Sequence, residues 1–212
     1  MVARVWTERR RSGERVPRGS AAVTDASAHV LVVVRTSPSP VRLVSSSCYT
    51  LPVPTIEHLV LSPSHVYVGH FGKPPGTEPA VERDEVRLLP GHGIDGDRYA
   101  AREAGHKKQI SFFAMEVLEE LGAHFGKAVA PGAVRRNVFT RGIDLLSLVG
   151  KRFTLQGVTF EGVEHCKPCF WMNTAVGDGA EELLKPGKGG LRASIVEGER
   201  LRVGPAPLVL SD

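Results

Sequence analysis

Short strand-like runs separated by glycine and proline turns dominate this sequence after residue 54, and they constrain its fold more than any other feature. Two closely spaced pairs of runs predict hairpins, one about Gln156-Gly157 and one about Glu197–Glu199. The spacing predicts a mainly β fold closed, or nearly closed, into a barrel. The candidate strands are Ile56–Leu61, Val81–Leu88, Gln109–Phe113, Val134–Thr140, Arg152–Leu155, Val158–Val163, Ala193–Val196 and Arg200–Val203.

Helical signals are few. Apolar residues from Ala114 to Phe125 recur at helical spacing, and Gly126 follows as a stop, so one amphipathic helix is predicted there. Gly179–Lys185 predicts a short helix, and Asp144–Val149 a single turn capped by its aspartate. Because strands do not alternate with long helices, a dinucleotide-binding fold fits poorly, and the helices are expected outside the barrel.

The positive charge of the chain is concentrated at its start. Residues 1–53 hold eight Arg, no Lys and three acidic residues, whereas residues 54–212 hold nineteen basic and twenty acidic residues. We therefore predict a disordered basic extension over 1–53 and a separate domain over 54–212. A targeting peptide, an interaction arm and a start site placed too far upstream all fit the extension; the abrupt start of the domain pattern favours the last. A near-neutral domain argues against a nucleic-acid partner.

The number of cysteines and the length of the apolar runs predict the cellular compartment of the protein. Three cysteines, at positions 48, 166 and 169, are too few for a secreted disulfide scaffold and suit a reducing compartment. The longest apolar run, Val30–Val34, is too short to cross a membrane or to act as a signal peptide. The expected location is the cytoplasm, with no membrane partner.

The sharpest chemical feature is the pair Cys166-Lys167-Pro168-Cys169. A cysteine acts as a nucleophile or as a soft metal ligand in its thiolate form, which positive charge on Lys167 and His165 would favour. Three other interpretations remain open. The pair could be buried and inert, it could belong to a zinc site that lacks a second cysteine pair, or it could be a thioredoxin-like pair without the expected βαβ context.

Three further segments carry polar chemistry, and each is weak alone. The glycine-rich turn Gly91–Arg98 could cradle an anion with its N–H groups, or be held simply by Asp95 or Asp97 pairing with Arg98. Arg135-Arg136-Asn137 could grip a phosphate, or lie at the surface. Lys107 to Ser111 could be an ordinary surface stretch.

Taken together and in order, six segments resemble MOSC domains, the module at the C-terminus of molybdenum-cofactor sulfurases, and small stand-alone bacterial members above all. The resemblance covers about residues 55–204 and implies a β-barrel with a few peripheral helices that binds a molybdopterin-type molybdenum cofactor. The six segments are Gly93–Arg98, Gln109–Ser111, Pro131–Asn137, Gly142–Asp144 with Leu148–Gly150, Cys166–Cys169 and Gly189–Ala193.

The resemblance also implies roles for single residues. Cys169 matches the functional cysteine of the family, which ligates molybdenum or has been proposed to carry a persulfide. Arg135 and Asn137 match residues that hold the cofactor, while Cys166 and Ser111 are expected in support. The full set of expected cofactor-binding residues is Arg98, Ser111, Arg135, Arg136, Asn137, Cys166 and Lys167.

Three functions follow as expectations. The first is cofactor binding for reduction of N-hydroxylated compounds, with a separate electron-donor protein because the sequence shows no redox domain. The second is a sulfur carrier with a persulfide on Cys169, partnered by a cysteine desulfurase; no lysine stands in a pyridoxal-phosphate context. The third is a non-catalytic binding module. The first is favoured because Arg135–Asn137 have no evident task in a sulfur carrier.

Overall fold

The computed structural model describes residues 53–64, 79–185 and 187–211. These residues belong to the compact unit Leu51–Asp212. The predicted disordered extension lies, apart from Val53, outside the described residues, as do the run Val30–Val34 and the cysteine at position 48. The predicted domain boundary stays a prediction.

Strands make up most of the regular structure, so the mainly β prediction is confirmed. Three α-helices are described: α1 (Met115–Phe125), α2 (Trp171–Ala175) and α3 (Ala180–Leu184). Short 3₁₀ turns occupy Pro131–Val134 and Leu146–Leu148. The strands are β1 (Thr55–Leu61), β2 (Val81–Arg83), β3 (Glu85–Leu89), β4 (Gly93–Ile94), β5 (Ile110–Ala114), β6 (Val138–Arg141), β7 (Arg152–Leu155), β8 (Val158–His165), β9 (Leu191–Glu197), β10 (Arg200–Arg202), β11 (Gly204–Pro205) and β12 (Val209–Ser211).

The main sheet has nine strands in the order β11-β1-β6-β5-β9-β8-β7-β12, with β2 also paired to β1. A smaller sheet has the order β10-β3-β4. In the described residues β5 and β6 run parallel, with α1 between them in the chain, and the other pairs are antiparallel. No described pairing joins the two ends of the main sheet, so the closed barrel stays a prediction.

The hairpin at Gln156-Gly157 is confirmed. Leu155 pairs with Val158, and the two turn residues have φ values of 50° and 79°, as a two-residue turn that follows the strand twist requires. The helix prediction ending at Gly126 is also confirmed, with that glycine in the left-handed conformation. Asp144 caps its turn as expected, because its carboxylate accepts the Leu146 N–H at 3.1 Å.

Three strand predictions need correction. The run predicted over Val81–Leu88 is broken at Asp84, which separates β2 from β3. The run over Val134–Thr140 begins as a 3₁₀ turn, and the left-handed backbone at Arg135 delays β6 to Val138. The second hairpin is wrong: β9 pairs with β5 and β8, while β10 pairs with β3 in the smaller sheet. The turn at Gly198, with a φ of 108°, moves the chain between the sheets.

The core lies on both faces of the main sheet, because successive strand residues point to opposite sides. On β5 and β6, Phe112 and Val138 join an inner cluster shared with the smaller sheet. Their neighbours Phe113 and Phe139 join an outer cluster covered by α1, α2 and α3. Burial on both faces explains why these strands read as continuous apolar runs instead of alternating patterns. In the described residues, no helix is long and apolar enough to cross a membrane.

Candidate functional site

The strands bring several polar segments to one end of the main sheet. Ser111 is the second residue of β5, and Asn137 directly precedes β6; since these strands are parallel, the two residues are neighbours. Arg192, near the start of β9, pairs in register with Ser111 on one side and with Glu164, near the end of β8, on the other. The loop Cys166–Phe170 leaves β8 at this same end. Residues far apart in sequence therefore meet here.

A cavity of about 180 Å³ lies among these segments. It gathers all eight of the site residues expected from the sequence, although their binding of a cofactor stays a prediction. The eight are Arg98, Ser111, Arg135, Arg136, Asn137, Cys166, Lys167 and Cys169.

The sequence analysis missed six further lining residues. Lys108 was treated as part of an ordinary surface stretch, and Arg192 lay unremarked within the Gly189–Ala193 segment. Tyr99 and Trp171 follow Arg98 and the cysteine loop closely, so adjacency to those segments was the available signal. The six are Tyr99, Lys108, Ile110, Trp171, Met172 and Arg192.

The cavity is strongly basic. In the part of the chain that the structure describes, no carboxylate is among its lining side chains, although the domain as a whole is nearly neutral. A concave basic surface raises the local concentration of anions. The six basic lining residues are Arg98, Lys108, Arg135, Arg136, Lys167 and Arg192.

The two cysteines of the site differ in exposure. Cys166 is 4% exposed, and its N–H donates to the Gly190 carbonyl at 2.8 Å. Cys169 is exposed, and its carbonyl accepts the Met172 N–H at 2.8 Å as α2 begins. The interpretation as a buried pair therefore fits Cys166 but not Cys169. Among the described residues, no three His, Cys, Asp or Glu side chains converge as a metal site.

Arg136 uses its guanidinium on the backbone. The group is buried and donates to the carbonyls of Gly189 at 3.0 Å, Val134 at 2.9 Å and Cys166 at 3.3 Å. It thereby ties the Pro131–Val134 turn to the cysteine loop. These contacts give Arg136 a positioning role in the cavity wall, and the expectation that it binds a cofactor stays a prediction.

Asn137 is also engaged by the protein. Its side-chain oxygen accepts the Ser111 hydroxyl at 2.8 Å, and its amide donates to the Val60 carbonyl at 3.1 Å and to Asp97 at 3.2 Å. Asn137 and Ser111 line the cavity, but this network shows that they shape its wall.

Most N–H groups of the turn Gly91–Arg98 bind carbonyls of the protein, which argues against an anion cradle there. The N–H groups of Asp97 and Arg98 donate to the carbonyls of Ile94 and Ser62 at 2.9 and 3.1 Å. Asp97 is buried and accepts the N–H groups of Ser62 and Tyr99 at 3.0 and 3.1 Å. Asp97 therefore holds this turn largely by accepting backbone N–H groups, while Arg98 approaches it at 3.9 Å.

Arg98 and Arg135 present unsatisfied donors. In the described part of the chain, the Nε atoms of both are buried without a hydrogen-bond partner. The Arg135 guanidinium lies 5.3 Å from the centre of the Trp171 ring. Burial, and then repulsion from Arg98, lowers the pKa of Arg135, while Tyr99 and Cys169 act in the opposite direction. Two partly buried cations, each with a buried Nε that has no acceptor, are a costly arrangement.

His165 is not the cation that the sequence suggested. Burial and the nearby Arg136 lower the pKa of His165, and its Nε2 lies 3.1 Å from the Gly189 N–H, which donates to it. The ring is therefore neutral near pH 7, and Lys167 is the exposed cation beside Cys169.

Arg192 connects the buried cysteine with an acidic residue. It donates to Glu164 at 2.6 Å, and Lys107 approaches the same carboxylate at 3.6 Å. Burial acts to lower the pKa of Arg192, but the combined effects of Cys166 and Glu164 outweigh it and raise that pKa. On this side of the cavity, one carboxylate therefore partly neutralises two cations.

Comparison with known proteins gives the family and the fold. No curated protein matches the chain. Among solved structures, the YuaD protein from Bacillus subtilis matches with a TM-score of 0.58 and 18% identity over 76% of this chain and 97% of that one. YiiM from Escherichia coli matches with a TM-score of 0.52 and 19% identity over 74% of this chain and 71% of that one. At these identities the likeness shows the fold alone.

Residues 98–206, which contain the cysteine loop and most of the cavity wall, match the family model described as "MOSC domain". The chain belongs to the MOSC domain family.

Proposed function

We propose that this domain binds a molybdopterin-type molybdenum cofactor, with the Cys169 thiolate as the ligand that the protein supplies to molybdenum. MOSC domains as a family are associated with this cofactor. The observation that carries the proposal is an exposed thiol in a cavity that has six basic lining residues and, among the described residues, no lining carboxylate. Thiolates are soft ligands suited to such a metal, and the phosphate of the cofactor needs cations.

The guanidinium groups of Arg98 and Arg135 support the fit. Both residues line the cavity, so an anionic group bound there would be attracted to both. It would also relieve the repulsion between these two cations. Lys167 adds positive charge next to Cys169. Arg136, Asn137 and Ser111 contribute indirectly, by holding the wall on which these groups stand.

The reaction proposed for the bound cofactor is the reduction of N-hydroxylated compounds. The cofactor would supply a metal centre that passes electrons to the substrate. A hydroxylamine takes up two electrons and two protons to give the amine and water, and an external donor protein would supply the electrons. The residues of this chain bind and orient the cofactor, and Trp171 and Met172 provide the apolar part of the cavity wall.

Metal analysis tests the ligand role. The protein should carry molybdenum stoichiometric with the chain when purified from a host that makes the cofactor. Cys169→Ala should lose it, whereas the matched variant Cys166→Ala should retain most of it because Cys166 is only 4% exposed. Molybdenum retained in full by Cys169→Ala would reject the ligand role.

The exposure of Cys169 also favours a second candidate, a sulfur carrier. An exposed thiol can be reached by a partner protein and can hold a reversible persulfide. Incubation with a cysteine desulfurase and free cysteine should then add roughly 32 Da, the mass of one sulfur atom, to Cys169. Intact mass spectrometry that shows no adduct on wild type, or the same adduct on Cys169→Ala, would eliminate this candidate.

A further inference from the structure

A second group of cations surrounds one aromatic ring beside the cavity. The guanidinium carbons of Arg98 and Arg102 lie 4.6 and 4.9 Å from the centre of the Tyr99 ring, and the Lys108 ammonium lies 5.8 Å from it. We call these four residues the Tyr99 cluster. Single cation–π contacts of this kind are weak when they are exposed to water. One ring does not neutralise three positive charges.

The charge of the Tyr99 cluster is poorly balanced. In the described segments, Arg102 and Lys108 form no ion pair with a carboxylate. Arg98 approaches Asp97 only to 3.9 Å, and that carboxylate already accepts three other hydrogen bonds. Across the cavity, by contrast, Glu164 pairs with both Arg192 and Lys107. Arg102 and Lys108 of the Tyr99 cluster therefore carry positive charge that no carboxylate of the described residues neutralises.

The Tyr99 cluster is held in place by its own backbone. The Tyr99 N–H donates to Asp97, and the Arg102 N–H donates to the Tyr99 carbonyl at 3.1 Å. The Lys108 N–H donates to Nδ1 of His106 at 3.1 Å. These contacts fix the backbone from which the cationic side chains extend, while the side chains of Arg102 and Lys108 stay exposed to a ligand.

The Tyr99 cluster shares the cavity with the thiol. Tyr99 and Lys108 line the same space as Cys169, and Arg135 interacts electrostatically with Arg98, Tyr99 and Cys169. A molecule that reacts near Cys169 can therefore place a second group against Tyr99.

We propose that Arg102 and Lys108 of the Tyr99 cluster bind a carboxylate or phosphate group carried by the substrate, so that the site prefers N-hydroxylated compounds with such an anionic substituent. This inference rests on the proposed function for the reaction, but the binding of the anionic group does not require the metal.

Two measurements test the Tyr99 cluster. The first uses the molybdenum-loaded protein with a reduced viologen as electron donor, and compares 4-carboxyphenylhydroxylamine with the uncharged methyl ester. The carboxylate should be preferred in kcat/KM by about fivefold at low salt, as two partly exposed ion pairs allow. The preference should arise in KM, fall as salt rises, and disappear in Arg102→Met and Lys108→Met. The matched control Lys151→Met removes an exposed lysine outside the cavity lining, and this variant should keep the preference for the carboxylate.

The second measurement separates this inference from the proposed function. Calorimetric titration of the metal-free protein with 4-aminobenzoate should show tighter binding than its methyl ester, and Lys108→Met should abolish the difference. That result supports the Tyr99 cluster even if the protein carries no molybdenum. Equal affinity for the two probes overturns it. A loss of molybdenum from Arg102→Met or Lys108→Met also overturns it, because the bound group would then belong to the cofactor.

Discussion

At the scale of single residues, the adjacent arginines Arg135 and Arg136 have different roles. Arg135 has a left-handed backbone, with a φ of 55°, and its Nε lacks a partner in the described chain. Arg136 points into the protein and donates to three carbonyls. The first offers charge to the cavity, and the second builds the wall. A motif of two arginines does not distinguish these tasks.

Replacing each arginine by methionine separates the tasks. Arg136→Met should lower the free energy of unfolding by about 3 kcal/mol, because it leaves buried carbonyls without donors. Arg135→Met should change it by less than about 1 kcal/mol, since it removes no described hydrogen bond, but should weaken cofactor retention. Urea unfolding of both variants checks the prediction, and equal losses would contradict it.

The neutral His165 predicts a pH dependence of stability. Because burial and Arg136 lower its pKa, the folded protein takes up this proton less readily than the unfolded chain. The stability contributed by the neutral ring is complete above the ordinary pKa of 6.5 and is lost as the pH falls below it. Unfolding midpoints between about pH 7.5 and 5.5 should fall more steeply for wild type than for His165→Gln. If the unfolding midpoints of wild type and His165→Gln fall equally steeply with pH, the His165 ring does not cause the pH dependence.

At the scale of elements, the turn before β9 allows close contact between segments. A Cβ atom on Gly190 would lie 2.1 Å from the Phe112 carbonyl oxygen, and one on Gly189 would lie 2.2 Å from the Cys166 carbonyl oxygen. These glycines let β9 lie against β5 and let the cysteine loop pass close by. The position of Cys169 depends on this turn as much as on its own loop.

Alanine at Gly190 should therefore be costly. Gly190 has a φ of 96°, and a Cβ there would clash with β5. Gly179 is the matched control, because its φ is 90° but nothing lies within 4 Å of a Cβ. Gly179→Ala should cost about 1 kcal/mol for the left-handed backbone alone, and Gly190→Ala about 3 kcal/mol or more. Thermal unfolding compares them; similar losses would rule out the close contact as the cause.

At the scale of the whole molecule, the core that the structure describes is made of residues after position 55. The inner cluster runs from Ile56 to Ala206, and the outer cluster lies within the same range. Both clusters meet at the main sheet, so the two faces should unfold together.

Deletion of residues 1–52 should therefore leave the stability of the domain within about 0.5 kcal/mol of the full chain. The truncated protein should also retain molybdenum equally well if the proposed site is correct. Chemical unfolding and metal analysis of both proteins check this. A truncated chain with a much lower unfolding midpoint would place part of the stabilising structure in those residues.

Local patterns predicted much of the secondary structure. The spacing from Ala114 to Gly126 predicted α1, and Gln156-Gly157 predicted its hairpin, because both depend on neighbours in the chain. The hairpin predicted at Glu197–Glu199 failed because β10 pairs with β3, more than a hundred residues earlier in the chain. The helix α2 was missed, since its five residues are too few to show a period.

The sequence by itself determined the mainly β class, the family and the segments that form the site, because these follow from local pattern and from motif order. Only the tertiary structure decided which side chains face the cavity with unsatisfied charge. Arg136 and Asn137 are engaged by carbonyls and side chains from distant segments, His165 is neutral through burial, and Tyr99 gathers its cations through folding. Hydrogen-bond partners and burial are properties of the assembled fold, and no residue carries them in its own identity.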